Sequence, residues 1–516
     1  MLLRNIILSA GFSTLVVAAP TLELPTVDFG YGVYRATYYN ETYDAFVFSN
    51  IRYAAPPVGA LRFGAPQPPL SDRSKIHDGS EGFLCPQAIV SYLPLSLSPG
   101  VESEDCLFLD VIVPRKVLSG GVGKVPVLFW IYGGAYSFGS KTMQGDAITL
   151  LKESASPVVW VAVSYRGGHF GFLGGPTFTL SEGTIPNAGL YDQRFALQWV
   201  QDNIHHFNGE KDEVTIMGNS AGGGSVIHHI TAFGGEGPTL FKQAIPMSGG
   251  FYPLGGHETA EEEYTVFEAL VGCAGKGVGC LRAVPEADMI KVSRAYYATL
   301  QAPHIGLGVV IDGNLVPDFP PYLVAQGHFH KNITILVSND DNEGAFFVSD
   351  SNTLPTDQQV DGMFPTSSAS VLKKLMSFYP PPGATTPYKT ELTRFSKIVA
   401  DIFFNAHRYI LSTALPDRTF NVVFVGVHNT GVNHLFNNIA DVYSAQIATG
   451  MRRFVMNFVV GGNPNGVEGN VGDGVKWPVF GAAGAGLSID GPTMKLADAA
   501  VDKDIYNWLA KGLELA

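Results

Sequence analysis

Val214-Thr215-Ile216-Met217-Gly218-Asn219-Ser220-Ala221-Gly222-Gly223 is the stretch whose reading decides the fold. An apolar strand runs into Gly-x-Ser-x-Gly and a helix-compatible segment follows, the sequence form of a nucleophile elbow. In such an elbow a strained strand-to-helix turn lifts a serine hydroxyl above a sheet. The two glycines are needed because a side chain at either position would crowd the turn. The Ala221 N–H is expected to face the place where an oxyanion would form. With 59 glycines in 516 residues, roughly half a chance match to the five-residue pattern is expected, so its surroundings must decide.

The surroundings agree with an α/β protein. Short continuous apolar runs recur at Val125 to Tyr132, Val158 to Tyr165, Val214 to Gly218, Ala244 to Met247, Ile333 to Val337 and Val422 to Val427. Runs this apolar on both faces suit a mostly parallel sheet covered by helices on both sides. Between them, Leu190 to Phe207 has helical spacing, as does Val442 to Val459. Tyr379-Pro380-Pro381-Pro382-Gly383 and the glycine-rich tract from Gly461 to Gly486 read as surface loops. No repeat or disordered linker divides the chain, so one domain over residues 20–516 is expected.

Acyl transfer by serine needs a base, an acid to orient it and donors for the oxyanion. Where a serine sits on such an elbow, the chain order is Ser, then Asp or Glu, then His. Upstream, the run Val127 to Tyr132 ends in Gly133-Gly134-Ala135-Tyr136, a small-residue turn able to supply oxyanion N–H groups. An ordinary strand-end turn is the bland alternative. Downstream, Ser338-Asn339-Asp340-Asp341-Asn342-Glu343-Gly344 offers three acids, Asp340, Asp341 and Glu343, and spacing alone does not choose among them. His428 directly follows an apolar run and is well placed as the base, with His434 six residues later.

Composition narrows the function. At 46% hydrophobic and 15% charged, the chain can bury a large core. A net charge of −13 and a pI near 5.4 argue against a nucleic-acid partner, which needs a basic face. Arg4, the apolar core Ile6 to Val17 and Val16-Val17-Ala18-Ala19 form a secretory leader over residues 1–19, cut near 18–20. Its polar residues and short length disfavour a membrane anchor, and the tail 511–516 carries neither a lipid-anchor signal nor a retention tetrapeptide. A secreted, extracellular protein without an integral membrane segment is expected. Four cysteines fit that compartment, and two local loops are the simplest of three pairings. None has zinc or redox spacing. Asn40-Glu41-Thr42 and Asn332-Ile333-Thr334 are glycosylation sequons.

The chain resembles the type B carboxylesterase/lipase family, which includes secreted fungal lipases and esterases, animal carboxylesterases and cholinesterases. The likeness runs from about Tyr31 to the C-terminus. It is carried by Asn50 to Gly59 with Leu61-Arg62-Phe63, by Ser103-Glu104-Asp105-Cys106-Leu107-Phe108-Leu109-Asp110, and by Asn187 to Gln193 leading through Ala196 to Val200 into the elbow. The resemblance implies an α/β-hydrolase fold with Ser220 as nucleophile, Glu343 as acid and His428 as base, with His434 as the fallback. It implies an oxyanion hole at Gly134, Ala135 and Ala221, disulfides Cys85–Cys106 and Cys273–Cys280, and a structural Arg62–Glu104 ion pair.

Three departures qualify what carries over. Asn219 stands where relatives have Glu, Ala135 is the third residue of a Gly-Gly-Gly turn, and the stretch from Glu343 to His428 is shorter than usual. The loop between Cys85 and Cys106 occupies the lid position and offers Ile89, Val90, Tyr92, Leu93, Leu95 and Leu97. Being short, it predicts at most weak contact with a lipid interface. It has no tryptophan to hold a quaternary ammonium, which argues against choline esters. The expectation is a serine ester hydrolase for short- to medium-chain or aryl esters, needing no metal or other cofactor. True lipase action on triacylglycerols or sterol esters is the alternative. A non-catalytic recognition protein of the same fold is the remote one, opposed by the intact Ser220, Glu343 and His428.

Overall fold

The structure, a computed structural model, describes residues 23–250, 256–349, 354–436, 444–466, 475–499 and 503–511. The expected leader at 1–19, and Val442 and Tyr443 of the expected late helix, lie outside the described residues.

An eleven-stranded sheet forms the frame. Its strands are β1 (Tyr38–Asn40), β2 (Ala45–Arg52), β3 (Phe108–Pro114), β4 (Val125–Ile131), β5 (Val159–Val163), β6 (Gly209–Asn219), β7 (Gln243–Met247), β8 (Thr334–Asn342), β9 (Thr419–Val427), β10 (Ala485–Asp490) and β11 (Thr493–Asp498). The spatial order is β11-β10-β9-β8-β7-β6-β4-β5-β3-β2-β1. Strands β4 to β10 run parallel, and antiparallel strands flank them at both edges. A small three-stranded sheet of Thr26–Asp28, Val33–Arg35 and Ile76–His77 stands apart.

Helices cover both faces, which is why the central strands are apolar on both sides. On one face α1 (Ala147–Leu151) packs with two later helices described below, around Leu128, Trp130 and Met217. On the other lie α2 (Ala188–Asn203), α3 (Ala221–Ile230), α4 (Glu391–Ala400) and α5 (Ala406–Ala414), against Phe129, Ile131 and Ile216. The partners of α1 are α6 (Thr430–Phe436) and α7 (Ala445–Gly461). Alternate residues of β4 thus feed opposite layers, and each large aliphatic side chain so buried contributes about 1.5–3 kcal/mol. Between α4 and α5 the chain widens into a π-turn at Asp401–Asn405.

The elements differ from the sequence reading in three places. Strand β8 continues to Asn342, five residues past the apolar run, because Ser338, Asn339 and Asp340 keep the ladder with Val422, Val423 and Phe424 of β9. The late helix starts at Ala445, where the Ser444 side chain accepts the Ile447 N–H. The tract from Gly461 to Gly486 is not wholly a surface loop. Trp477 is buried, its indole N–H donates to the Asn421 carbonyl at 2.9 Å, and β10 begins at Ala485.

Candidate active site

Ser220 lies between β6 and α3 with φ 57° and ψ −125°, a backbone region that costs energy for a residue with a side chain. Close packing enforces it. A Cβ on Gly218 would lie 2.3 Å from the Gly222 carbonyl oxygen, and one on Gly222 would lie 2.2 Å from the Ile131 carbonyl oxygen. The Ser220 N–H donates to the Met247 carbonyl at 2.9 Å and its carbonyl accepts from Gly224 at 2.8 Å. The serine is therefore fixed from β7 on one side and α3 on the other.

The candidate acid and base come from the ends of later strands in the sheet. His428 follows β9, and its Nε2 accepts from the Ser220 hydroxyl at 2.9 Å. Its Nδ1–H donates to Glu343 Oε2 in a short, buried bond. Glu343 opens a 3-10 turn directly after β8. Its other oxygen accepts the Asp340 backbone N–H at 2.8 Å, so the carboxylate cannot rotate away from the imidazole. Phe346, Phe347 and Phe404 surround the His428 ring at centroid distances of 5.6, 5.0 and 5.0 Å.

The other acids are employed elsewhere. Asp340 is buried, and its carboxylate accepts from Thr430 N–H at 3.1 Å, Gly431 N–H at 2.9 Å and the Ser248 hydroxyl at 3.4 Å. It thereby clamps the start of α6, just past His428. Burial, and then the neighbouring Glu343 charge, push its carboxyl well above the usual range, against the pull of those three donors. Asp341 is exposed and accepts the Gly426 N–H at 2.9 Å. His434 turns away from Ser220. Its Nδ1 faces the Thr430 carbonyl at 2.8 Å, its ring packs on Phe424, and burial lowers its pKa.

The upstream turn meets the same cavity. Gly134 has φ 115° and Ala135 has φ 51°. A Cβ on Gly134 would fall 2.0 Å from the Phe138 carbonyl oxygen, so glycine is required there. Ala135 tolerates the left-handed conformation at a cost of about 1–2 kcal/mol. Ala221 is the first residue of α3, so its N–H has no carbonyl one turn back. Gly134, Ala135, Ser220 and His428 line one cavity of about 400 Å³, with Leu93, Leu95, Phe138, Phe346 and Phe347 among its apolar walls. Such a set can deprotonate a hydroxyl, hold a tetrahedral oxyanion and seat an apolar group. Asp340, Glu343 and His428 are the one acid–histidine cluster of metal-binding dimensions among the described residues. Their side-chain atoms already have partners: the Asp340 carboxylate accepts from Thr430, Gly431 and Ser248, while Glu343 and His428 bond each other and His428 also meets Ser220.

The lid-position loop is joined by Cys85–Cys106, and Cys273 is joined to Cys280. The Gln87 carboxamide straps the loop to the body: its oxygen accepts from Gly139 N–H at 3.0 Å and Ser98 N–H at 3.1 Å. Arg62 and Glu104 form a buried bidentate pair, with Nε to Oε2 at 2.7 Å, and the guanidinium also donates to the Leu281 and Val284 carbonyls. Asn332 is exposed, whereas the Asn40 carboxamide oxygen accepts the Tyr43 N–H at 3.0 Å.

Some site residues were missed by sequence reasoning. Asn429 accepts from the Asn219 side-chain amide at 2.7 Å, tying the residue before the serine to the residue after the histidine. Its place next to His428 was the available signal. Phe404 reaches His428 through the π-turn, which no periodicity announces.

Comparisons with known proteins agree over nearly the whole chain. The family model described as the carboxylesterase family matches residues 24–505. A carboxylesterase patB from Aspergillus clavatus is 33% identical over 508 residues, covering 87% of this chain and 90% of that one. Secreted lipase 1 of Botryotinia fuckeliana is 30% identical over 490 residues, covering 84% and 83%. The crystal structure of Aspergillus niger EstA matches with a TM-score of 0.82 at 26% identity, over 95% of this chain and 99% of that one.

Proposed function

The chain belongs to the carboxylesterase family and is a carboxylic ester hydrolase of α/β-hydrolase fold, and on that premise we propose that it works through an acyl-enzyme on Ser220. His428 Nε2 takes the Ser220 proton as the oxygen attacks the ester carbonyl. Glu343 holds the imidazole in the required tautomer and stabilises the imidazolium. The N–H groups of Gly134, Ala135 and Ala221 receive the oxyanion. The imidazolium returns its proton to the departing alcohol. Water, deprotonated in turn by His428, then releases the acid. The observation that carries this reading is the unbroken relay from Ser220 Oγ through both His428 nitrogens to Glu343.

Short- to medium-chain or aryl esters suit the cavity of about 400 Å³ and its strapped roof. Relatives named secreted lipases support export from the cell, and exposed Asn332 is then the more accessible glycan acceptor. No helix among the described residues is long and apolar enough to cross a membrane. The test is Ser220→Ala against a 4-nitrophenyl ester. A loss of at least about a thousandfold in kcat is expected, together with loss of organophosphate labelling. Activity near that of the parent protein would sink the assignment.

A further inference from the structure

The proposed oxyanion hole has two arms from separate elements. Gly134 and Ala135 lie in the turn after β4, and Ala221 opens α3. Both arms can grip one oxygen only if their spacing is held, because hydrogen bonds weaken steeply with distance and angle. The first arm is costly to hold. Gly134, Ala135 and Tyr136 have φ of 115°, 51° and 58° in succession, and two of the three carry side chains.

Tyr136 is anchored at both ends. Its carbonyl accepts the Gly168 N–H at 2.7 Å. Its buried phenol reaches across to α3 and donates to the Gly250 carbonyl at 3.4 Å. The Gly250 N–H in turn donates to the Ser220 carbonyl at 3.2 Å. The phenol oxygen also meets the Ser225 hydroxyl, which stands four residues after Ala221 and so on the same face of α3. The helix leaves room for this approach, since a Cβ on Gly224 would fall 2.3 Å from the phenol oxygen. Ser225 Oγ is held from α2 by Gln193 Nε2 at 3.1 Å, and Gln193 Oε1 faces His229 Nε2 at 3.1 Å. Burial keeps His229 neutral and Tyr136 protonated. The protons therefore run one way: His229 donates to Gln193, Gln193 to Ser225, Ser225 to Tyr136 and Tyr136 to Gly250. A buried polar chain of this kind stiffens the elements it joins.

Resting on the Ser220 reading, we propose that Tyr136 is a positioning residue of the oxyanion hole. Its phenol fixes the Gly134–Ala135 arm against the Ala221 arm through Ser225 and Gly250. The phenol touches no reacting atom and acts only through the backbone that it locks.

Tyr136→Phe tests this, because it keeps the ring against Phe172 and removes only the hydroxyl. With a 4-nitrophenyl ester, kcat should fall about ten- to a hundredfold, less than the loss of a whole oxyanion donor, with KM within about twofold. A benzyl trifluoromethyl ketone supplies the second readout. Ser220 Oγ adds to its carbonyl, the π pair becomes the oxyanion, and the serine proton passes to His428. Affinity for this ketone should fall by the same factor as kcat, while the acid limb of the pH profile stays in place. Ser225→Ala should lower kcat in the parent and leave it unchanged in the Tyr136→Phe background, since the two groups act as one link. Parent-like kcat and ketone affinity in a folded Tyr136→Phe protein would overturn the inference, even if its urea midpoint fell. So would a Ser225→Ala effect that is the same in both backgrounds. Ketone affinity that survives Ser220→Ala would instead count against the nucleophile assignment.

Discussion

Replacing Asn219 by Asp should move the acid limb of the kcat/KM profile to higher pH. Asn219 is fully buried, one residue from Ser220, and hydrogen-bonded to the neighbour of His428. A carboxylate there lies within about 8 Å of the imidazole, where at an effective dielectric of about 20 a unit charge contributes ~2 kcal/mol. That corresponds to about 1.5 pH units. The sign follows from the roles. The carboxylate favours the imidazolium, and the imidazolium cannot accept the serine proton, so activity is lost at higher pH than in the parent. The assay is kcat/KM for a 4-nitrophenyl ester between pH 5 and 9, with Asn219→Leu as a neutral variant that also breaks the link to Asn429. The Leu variant should lose activity with the limb in place; the Asp variant should shift it. A limb that stays put in a folded Asn219→Asp protein would refute the argument that Asn219 sits electrostatically next to the base.

Three other outcomes are expected. Arg62→Met should destabilise the protein by about 3–5 kcal/mol in urea titrations, because Glu104 would remain buried without its partner; a loss below about 1 kcal/mol would contradict this. Stability should rise with pH between 5 and 6. His169, His228 and His407 are held neutral by burial, with pKa values lowered to about 3, so the unfolded chain binds more protons across that window. His229, lowered further by the same burial, adds a fourth such group; each contributes up to about 1.4 kcal/mol per pH unit, opposed by carboxyls that burial pushes up, Asp340 and Glu104 among them, and the sign is to be checked from urea midpoints. On tributyrin, the rate should saturate below the solubility limit without a jump at emulsion formation. A jump would mean that the loop strapped by Gln87 opens at an interface.

Much of the fold was legible because the constraints on the elbow are local. Gly218 and Gly222 are demanded by carbonyl oxygens within 2.3 Å of any added Cβ, and such demands leave a short pattern in the sequence. The central strands were legible because burial on both faces removes polar residues from them. The proposed acid was not decided by residue order. Asp340, Asp341 and Glu343 lie within four residues, yet strand β8 turns one to the start of α6, one to solvent and one to His428. That sorting follows from the length of β8 and its register with β9, and the apolar run stops too early to reveal either. Family resemblance supplied Glu343 where spacing could not.

The walls of the cavity follow a different logic from the groups proposed to react. Ser220 and its glycines are fixed by backbone contacts, so their identities are nearly forced. Gln144, Asn433, Phe346 and Phe347 meet in one cavity only because α1 packs on α6 and the turn after β8 carries the two phenylalanines to it. Their identities could change without disturbing the elbow, since none of them sets its backbone. Asn219 stands between the two groups. It occupies a forced position in the elbow, but its side chain faces Asn429, a wall of the cavity. A substitution there changes the electrostatics of the base and the polarity of the pocket together. A neutral Asn219 keeps both effects out of the cavity, because a carboxylate at that position would favour both the imidazolium and a cationic substrate.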